Sequence, residues 1–164
     1  MGEVAVRPVG PGDEDAVWAI LEPVFRAGDT YTIDPGVTRE AALGYWLGPS
    51  HRVFVAGEGL GTYYVRPNQG GGGDHVCNCG YVTAAAARGK GVARAMLAHS
   101  LGEARRLGYL AMQYNFVVET NTRAIEIWTR AGFDTVGRLP GAFRHPEFGF
   151  VDALILYKDL TKES

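Results

Sequence analysis

The chain has 164 residues, of which 46% are hydrophobic and 21% charged, and its formal net charge is -2. This length suits one hydrophobic core, so we expect a single domain over residues 1–164. The small net charge gives no general attraction to nucleic acid or to an anionic membrane surface. No apolar run approaches the roughly 20 residues that span a bilayer, and the first residues show no targeting pattern. We therefore expect a cytoplasmic protein that binds neither nucleic acid nor membrane.

The first half of the chain predicts a strand, two helices and a hairpin, over residues 4–8, 13–28, 38–47 and 51–66. Asp13 and Thr38 are the expected N-caps of the two helices. Pro23 predicts a kink or an early end of the first helix. The four consecutive glycines at 70–73 predict a mobile hairpin tip, because ordering glycine is entropically costly.

The second half predicts a strand, a long helix, a strand, a short helix and two final strands, over residues 75–83, 89–107, 109–118, 121–131, 133–138 and 150–157. This order predicts an α/β fold, in the sense of an α+β mixed sheet with helices on both faces. Cys77 and Cys79 would share one face of a strand. With only His75 nearby they form an incomplete ligand set, so no metal site is predicted.

Glycines stand at the junction between a predicted strand and the long helix, in the segment Arg88-Gly89-Lys90-Gly91-Val92-Ala93. Glycine at such a junction frees backbone N–H groups for an anion, and the helix N-terminus adds about half a positive charge. The basic side chains in and after the segment strengthen that field. The alternative is an ordinary strand-to-helix turn whose small residues allow close packing.

This segment resembles the cofactor loop of the GCN5-related N-acetyltransferases, Arg/Gln-x-x-Gly-x-Gly/Ala, which Arg88, Gly91 and Ala93 match. The family's later helix motif is also present, from Asn121 to Phe133. The resemblance covers nearly the whole chain and implies that family's mostly antiparallel, twisted sheet with helices on both faces. It also implies acetyl-CoA as the cofactor, with ten residues at its site: Val82, Thr83, Arg88, Gly89, Lys90, Gly91, Val92, Ala93, Asn121 and Trp128.

The resemblance implies direct attack by an amine on the thioester, with the backbone N–H of Val82 stabilising the oxyanion. The family often has a tyrosine at the position of Trp128, where it protonates the departing thiolate. An indole cannot act as a general acid at neutral pH. Water or another residue would then protonate the thiolate, and core packing is the alternative role for Trp128.

A base that receives the amine proton is expected among four residues, unless water relays that proton: His145, His75, Asp152 and Glu22. His145, in a predicted late loop, is the favoured candidate. Aromatic side chains in flanking segments, Phe25, Tyr31 and Phe143, are candidates to shape the acceptor pocket or to pack in the core.

Two side-chain amides, those of Asn78 and Asn115, are expected to converge near the point where the strands splay apart. By strand alternation, Gln113 and Asn115 share one face, opposite Leu110, Met112, Tyr114 and Phe116. A buried amide needs a partner, which is either a small substrate with a carboxylate or the neighbouring backbone. The segments around both asparagines resemble the fungal acetyltransferases that act on proline analogues such as azetidine-2-carboxylate, in which the matching asparagines lie in the substrate pocket.

We therefore expect an acetyl-CoA-dependent N-acetyltransferase that acts on the amine of a small molecule, an amino acid or an analogue of one. Other branches of the family that it resembles acetylate phosphinothricin-like amino acids. The expected catalytic residues are Val82, Asn115 and His145, and the expected substrate residues are Asn78, Asn115, Tyr31 and Phe25. Acetylation of protein or peptide amines and a non-catalytic CoA-binding regulatory role are the alternatives. The apolar final strands favour a homodimer as a further hypothesis.

Overall fold

The computed structural model describes residues 3–162 and contains one sheet of seven strands in the order β1-β2-β3-β4-β5-β7-β6. The strands are β1 (Val6–Pro8), β2 (Arg52–Ala56), β3 (Gly61–Pro67), β4 (Val76–Thr83), β5 (Ala111–Val118), β6 (Asp134–His145) and β7 (Gly149–Asp159). Neighbouring strands are antiparallel except for β4 and β5, which are parallel. Within the described residues, no helix has the length and apolar character needed to cross a membrane.

Four helices cover the two faces of the sheet: α1 (Glu14–Ala27), α2 (Arg39–Trp46), α3 (Val92–Arg106) and α4 (Thr122–Arg130). Helices α1 and α2 pack on one face, where Leu21, Phe25 and Trp46 are buried against it. Helices α3 and α4 pack on the opposite face, around buried residues such as Met96 and Leu156. The predicted mixed, mostly antiparallel sheet with helices on both faces is therefore confirmed.

The start of α1 differs from the sequence prediction. Asp13 makes no capping hydrogen bond. Its carboxylate accepts the main-chain N–H of Gly10 at 2.7 Å and the guanidinium of Arg7 at 2.8 and 2.9 Å. The Arg7 hydrogen bond lowers the pKa of Asp13 to about 2. Thr38, in contrast, caps α2 as predicted, because its Oγ1 accepts the N–H of Ala41 at 3.1 Å.

Pro23 does not end α1 early, since the helix continues to Ala27 and is closed by Gly28 at φ 66°. Leu21 and Phe25, on either side of Pro23, are both buried. Their burial favours the continued helix by an amount comparable with the roughly 3 kcal/mol that an internal proline costs.

Strand β6 is longer than predicted, because it runs on from residue 138 to His145. It lies at the edge of the sheet, where a proline such as Pro140 is tolerated since one side of the strand has no partner. A register shift between Leu139 and Phe143, with Gly141 at φ 59°, absorbs the extra residues. His145 therefore ends a strand instead of lying in a loop.

Strands β4 and β5 pair only at their starts, through Val76 with Ala111 and Cys77 with Met112. Beyond these pairs the two strands diverge and leave an opening through the sheet. On β5 the pairing with β7 shifts between Tyr114 and Val117, so that β5 contains a bulge beside this opening. The divergence and the bulge together position the site described next.

Candidate active site

A cleft of about 1380 Å³ passes through the opening between β4 and β5. On one side it is lined by the N-terminal end of α3 and by α4. On the other side it is lined by residues 29–32, which follow α1, and by residues 145–148, where β6 turns into β7. A cleft of this size exceeds the usual volume of a small-molecule site, so it has room for an elongated cofactor and a small acceptor together.

The end of the cleft beside α3 presents main-chain N–H groups to an anion. Gly89 and Gly91 adopt φ of 80° and 79°, and a Cβ at either position would meet no atom within 4 Å. Glycine is therefore favoured there by backbone conformation and not by crowding. Gly91 is the N-cap of α3, and as a glycine it has no side chain that could cap the helix. The first N–H groups of α3, starting at Val92, thus have no partner within the helix and suit a phosphate.

Most residues predicted for the cofactor line this cleft: Val82, Thr83, Arg88, Gly89, Gly91, Val92, Ala93, Asn121 and Trp128. Lys90 is exposed and does not line it. Asn121, the N-cap residue of α4, makes no capping hydrogen bond with its side chain, so its amide is available to a ligand. Arg88, Arg94 and Arg123 add positive charge at the same end. These features fit the diphosphate and the amide-containing arm of coenzyme A.

The hydrogen-bond ladder between β3 and β4 determines which N–H groups of β4 face the cleft. The N–H of Ala84 donates to the carbonyl of Leu60 at 2.8 Å, and the N–H of Asn68 donates to the carbonyl of Val76 at 2.8 Å. No register shift occurs between these two bonds. Since bonded and non-bonded pairs alternate in an antiparallel ladder, the even-numbered residues of β4 direct their N–H groups to β3.

Val82 pairs with Thr62, and the alternation directs its N–H to β3 and not to the cleft. Val82 was therefore the wrong residue for the oxyanion donor. The N–H groups on the side of the opening belong to Tyr81 and Thr83, which lie beyond the paired part of β4 and line the cleft. The carbonyl of Tyr81 accepts the hydroxyl of Tyr31 at 2.8 Å, which holds this part of β4 in place.

The face of the sheet that α3 and α4 cover is the cofactor side of the opening. It contains a buried chain of hydroxyl groups. Ser100 donates to the carbonyl of Leu97 at 2.8 Å, so its oxygen must accept the hydrogen of Tyr81, 2.7 Å away. Tyr81 then accepts the hydroxyl of Tyr114 at 3.0 Å. Burial raises the pKa of both tyrosines well above the usual value. Every hydroxyl hydrogen in this chain is committed to a protein acceptor, so none is free to protonate a thiolate.

Trp128 packs on this hydroxyl chain, with its ring centroid 4.6 Å from that of Tyr114 and 6.2 Å from that of Tyr81. It is partly buried against the core and also lines the cleft. Its position agrees with the packing role that the sequence left as an alternative.

The acceptor side of the cleft lies on the face that α1 and α2 cover. Tyr31 lines it, whereas Phe25 is 1% exposed and packs edge-on beneath Tyr31, with ring centroids 5.5 Å apart. Phe25, predicted to contact substrate, is therefore a core residue that supports Tyr31. Phe143 is also buried, in a small cluster with Val118 and Val151.

The two predicted asparagines do come together at the opening, but both amides have protein partners. Asn78 donates through Nδ2 to the main-chain carbonyl of Gln113 at 2.9 Å. Asn115 is exposed; its Oδ1 accepts Gln113 Nε2 at 2.9 Å and its Nδ2 donates to Asn68 Oδ1 at 2.6 Å. Of the two kinds of partner expected for these amides, Asn78 therefore has the neighbouring backbone, whereas Asn115 is exposed and bonds to two side chains, which were not expected.

Gln113 and Asn115 share a face as predicted, but Phe116 does not lie on the opposite face with Tyr114. Phe116 packs against the cluster of Phe143 and Val118 instead. The bulge of β5 between Tyr114 and Val117 causes this change, because one inserted residue reverses the side to which the following side chains point.

Of the four residues considered as a base, only His145 lines the cleft. His75 precedes β4 at the end away from the opening. Asp152 accepts the N–H of Gly141 and binds Arg138, and Glu22 is on α1 beside Arg26. All three lie outside the cleft lining.

Two carboxylates at the acceptor side, those of Asp29 and Glu147, were not selected from the sequence. Both are in connecting segments that have no distinctive motif. Their position in the cleft depends on where the segment after α1 and the β6–β7 turn meet in the fold.

The comparisons with known proteins agree with this fold and site. The Acetyltransferase (GNAT) family matches residues 15–133. The N-acetyltransferase aca1 of Schizosaccharomyces pombe is 35% identical over 148 residues, which cover 78% of this chain and 71% of that protein. A GCN5-related N-acetyltransferase structure from Kribbella flavida is 37% identical with a TM-score of 0.90, covering 95% of this chain and 97% of that one.

This chain therefore belongs to the GNAT acetyltransferase family and is an N-acetyltransferase, for which acetyl-CoA is the family's co-substrate. A phosphinothricin acetyltransferase from Sinorhizobium meliloti, solved in complex with acetyl-CoA, has the same fold at 18% identity, with a TM-score of 0.83. That alignment covers 96% of this chain and 89% of the other.

Proposed function

We propose that this N-acetyltransferase acetylates the amine of a small amino acid or an amino-acid analogue. The composition of the acceptor side carries this proposal. It combines two carboxylates, Asp29 and Glu147, with the polar side chains of Asn78, Asn115 and His145. Carboxylates attract an ammonium group, and neutral hydrogen-bonding groups suit the remainder of a small polar molecule.

In the proposed reaction the amine nitrogen forms a bond to the thioester carbonyl carbon, the carbon–sulfur bond breaks, and the thiolate leaves. The N–H groups of Tyr81 and Thr83 point into the opening and are the backbone donors for the carbonyl oxygen and for the amides of the pantetheine arm. The amine proton passes to water in the cleft, and water also protonates the thiolate, because the nearby tyrosine hydroxyls are committed elsewhere.

The experiment that tests the proposal follows thiol release from acetyl-CoA with free amino acids, their analogues, and short peptides whose first residue is the same amino acid. Turnover of free amino acids well above that of the peptides supports the proposal. Turnover of the peptides alone would instead assign this enzyme to protein amines.

A matched pair of variants at Gly91 tests whether acetyl-CoA binds at the proposed cofactor site. Asn and Asp have the same shape and both tolerate positive φ, so Gly91→Asn and Gly91→Asp differ in charge. The carboxylate would oppose the diphosphate at the N-terminus of α3. By calorimetric titration, Gly91→Asp should bind acetyl-CoA at least tenfold more weakly than Gly91→Asn, whereas equal affinities would place the diphosphate elsewhere.

We also propose that the protein is a homodimer and is located in the cytoplasm. Val136 and Phe150, on the last two strands, are 59% and 71% exposed, and exposed apolar side chains favour association. Light scattering should give twice the monomer mass at micromolar concentration, and a Val136→Lys, Phe150→Lys variant should return the monomer. A wild-type protein that is monomeric throughout would exclude the dimer.

A further inference from the structure

The β6–β7 turn holds the ring of His145 in one tautomer. Its Nδ1 accepts the main-chain N–H groups of Glu147 at 3.1 Å and of Phe148 at 3.3 Å. A ring nitrogen that accepts hydrogen bonds carries no proton, so the neutral ring carries its proton on Nε2. The Phe148 ring stacks on the imidazole, with centroids 4.7 Å apart and planes at 28°. The turn therefore presents His145 as a hydrogen-bond donor through Nε2.

The Nε2 atom of His145 is the part of the ring that reaches the cleft. The residue lines the cleft although it is 8% exposed. Its Nε2 has no hydrogen-bond partner, and within residues 3–162 no fully buried side-chain nitrogen or oxygen lacks one. Nε2 is therefore open to the cleft. A protonated Nε2 cannot receive the amine proton, so the role of general base does not fit this arrangement.

Charged side chains divide the cleft into two regions. The arginines that line it are on or beside α3 and α4, at the cofactor side: Arg88, Arg94, Arg123 and Arg130. The carboxylate of Glu126 also lines this side, where it forms an ion pair with Arg130 at 2.7 Å. Among the described residues, the acceptor side is lined by the carboxylates of Asp29 and Glu147 and by no lysine or arginine. An anionic group on the acceptor therefore finds hydrogen-bond donors but no lysine or arginine in the lining; Arg66, which pairs with Asn78 in the β3–β4 register, does not line the cleft.

We propose that His145 is a specificity-determining residue, whose Nε2–H donates to the carboxylate of the acceptor amino acid. This inference rests on the proposed function and adds a limit to it. One carboxylate can be held by the imidazole N–H. A second anionic group, such as a phosphinate, would have no cation to pair with and would approach Asp29 and Glu147. The enzyme therefore prefers monoanionic amino acids to those with an additional anion.

The variant His145→Asn isolates the proposed donor, because the asparagine Oδ1 takes the place of Nδ1 and still accepts the two N–H groups of the turn. The measurement is kcat/KM for an amino acid divided by kcat/KM for the corresponding amino-acid amide, which has no carboxylate. This ratio should fall at least about tenfold, as expected for a hydrogen bond to a charged group. The matched control is His75→Asn, an exposed residue outside the cleft, which should leave the ratio unchanged.

The outcomes separate the two proposals. Wild-type protein that acetylates no amino acid refutes the proposed function, and the role of His145 with it. Wild-type protein that acetylates amino acids, together with an unchanged ratio in His145→Asn, refutes the role of His145 alone. A loss of rate that is equal for the acid and the amide also overturns it, because a general base would act on both.

Two measurements on the wild-type protein do not depend on the variant folding. Nitrogen-15 NMR of the histidine rings should place the His145 proton on Nε2, and a proton on Nδ1 would overturn the inference. In the acetylation assay a monocarboxylic amino acid should have at least tenfold higher kcat/KM than phosphinothricin, which has a carboxylate and a phosphinate. A preference for phosphinothricin would likewise overturn it.

Discussion

The side chain of Asn78 donates from Nδ2 to the main-chain carbonyl of Gln113, at 2.9 Å, where β4 and β5 begin to diverge. A carbonyl at this point of β5 has lost its partner on the neighbouring strand. The asparagine side chain supplies the missing donor and so joins the two strands at the start of the opening. Its Oδ1 makes no hydrogen bond with the described protein groups and remains able to accept one from a ligand.

Replacing Asn78 with the isosteric Asp should therefore destabilise the protein before any effect on binding is considered. The substitution removes the donor and turns a carboxylate oxygen toward the Gln113 carbonyl. We expect a loss of about 1 to 3 kcal/mol in the free energy of unfolding, measured in urea without ligand. The control is Asn121→Asp, since Asn121 makes no capping bond and an acidic residue suits a helix N-terminus. Equal stability of both variants would contradict a structural role for Asn78.

The alternating ladder between β3 and β4 predicts that proline affects mainly stability at one position and mainly acetyl-CoA binding at the next. Val82→Pro removes an N–H that belongs to the ladder with Thr62, and it should reduce stability by about 3 kcal/mol or more. Thr83→Pro removes an N–H that faces the opening, so it should cost less stability but weaken acetyl-CoA binding. Melting temperature and calorimetric affinity distinguish the two. If Thr83→Pro binds acetyl-CoA as wild type does, its N–H is not a cofactor donor.

The part of the cleft lining at the start of α3 was predictable from sequence because it is formed by one local segment. The segment Arg88 to Ala93 contains both the glycines and the helix start, and its geometry needs no distant residue. The acceptor side was not predictable in the same way. The direction of the Val82 N–H and the face of the Phe116 side chain were misassigned. Which N–H groups of a strand are hydrogen-bonded, and where a bulge falls, depends on pairing with residues far along the chain. The tautomer of His145 depends on the turn that follows it, and the role of Phe25 depends on its burial under Tyr31.

The hydrogen bond between Asn115 and Asn68 connects β5 with the segment after β3, and a double-mutant cycle measures it. Asn115→Ala, Asn68→Ala and the double variant should give a coupling free energy of about 0.5 to 1.5 kcal/mol. Asn115 lines the cleft and Asn68 does not, so Asn115→Ala should also raise the acceptor KM more than Asn68→Ala does. The same KM in both single variants would mean that Asn115 acts only through its contact with Asn68.

The buried tyrosines should make the protein unstable in alkali. Burial raises the pKa of Tyr114 well above its usual value, while in the unfolded chain it stays near about 10. Above pH 10 the unfolded chain therefore binds fewer protons than the folded one, so stability falls as pH rises. One such group contributes about 1.4 kcal/mol per pH unit. The unfolded tyrosine is only about half ionised at pH 10, so the stability lost between pH 9 and 11, measured by urea unfolding, should be smaller by about 1.4 kcal/mol in total in Tyr114→Phe. An unchanged loss would contradict the burial of its hydroxyl.

Tyr81→Phe is the matched control, because it should change the alkaline slope similarly but cost more stability at pH 7. In the chain from Tyr114 through Tyr81 to Ser100, each hydroxyl donates to the next. Removing the hydroxyl of Tyr114 leaves an acceptor site unused on Tyr81. Removing that of Tyr81 leaves the buried Tyr114 donor without its acceptor, which costs about 1 to 3 kcal/mol. If Tyr114→Phe were instead the less stable variant at pH 7, the chain would have to run in the opposite direction, and Tyr114 would then have a hydrogen available for the thiolate.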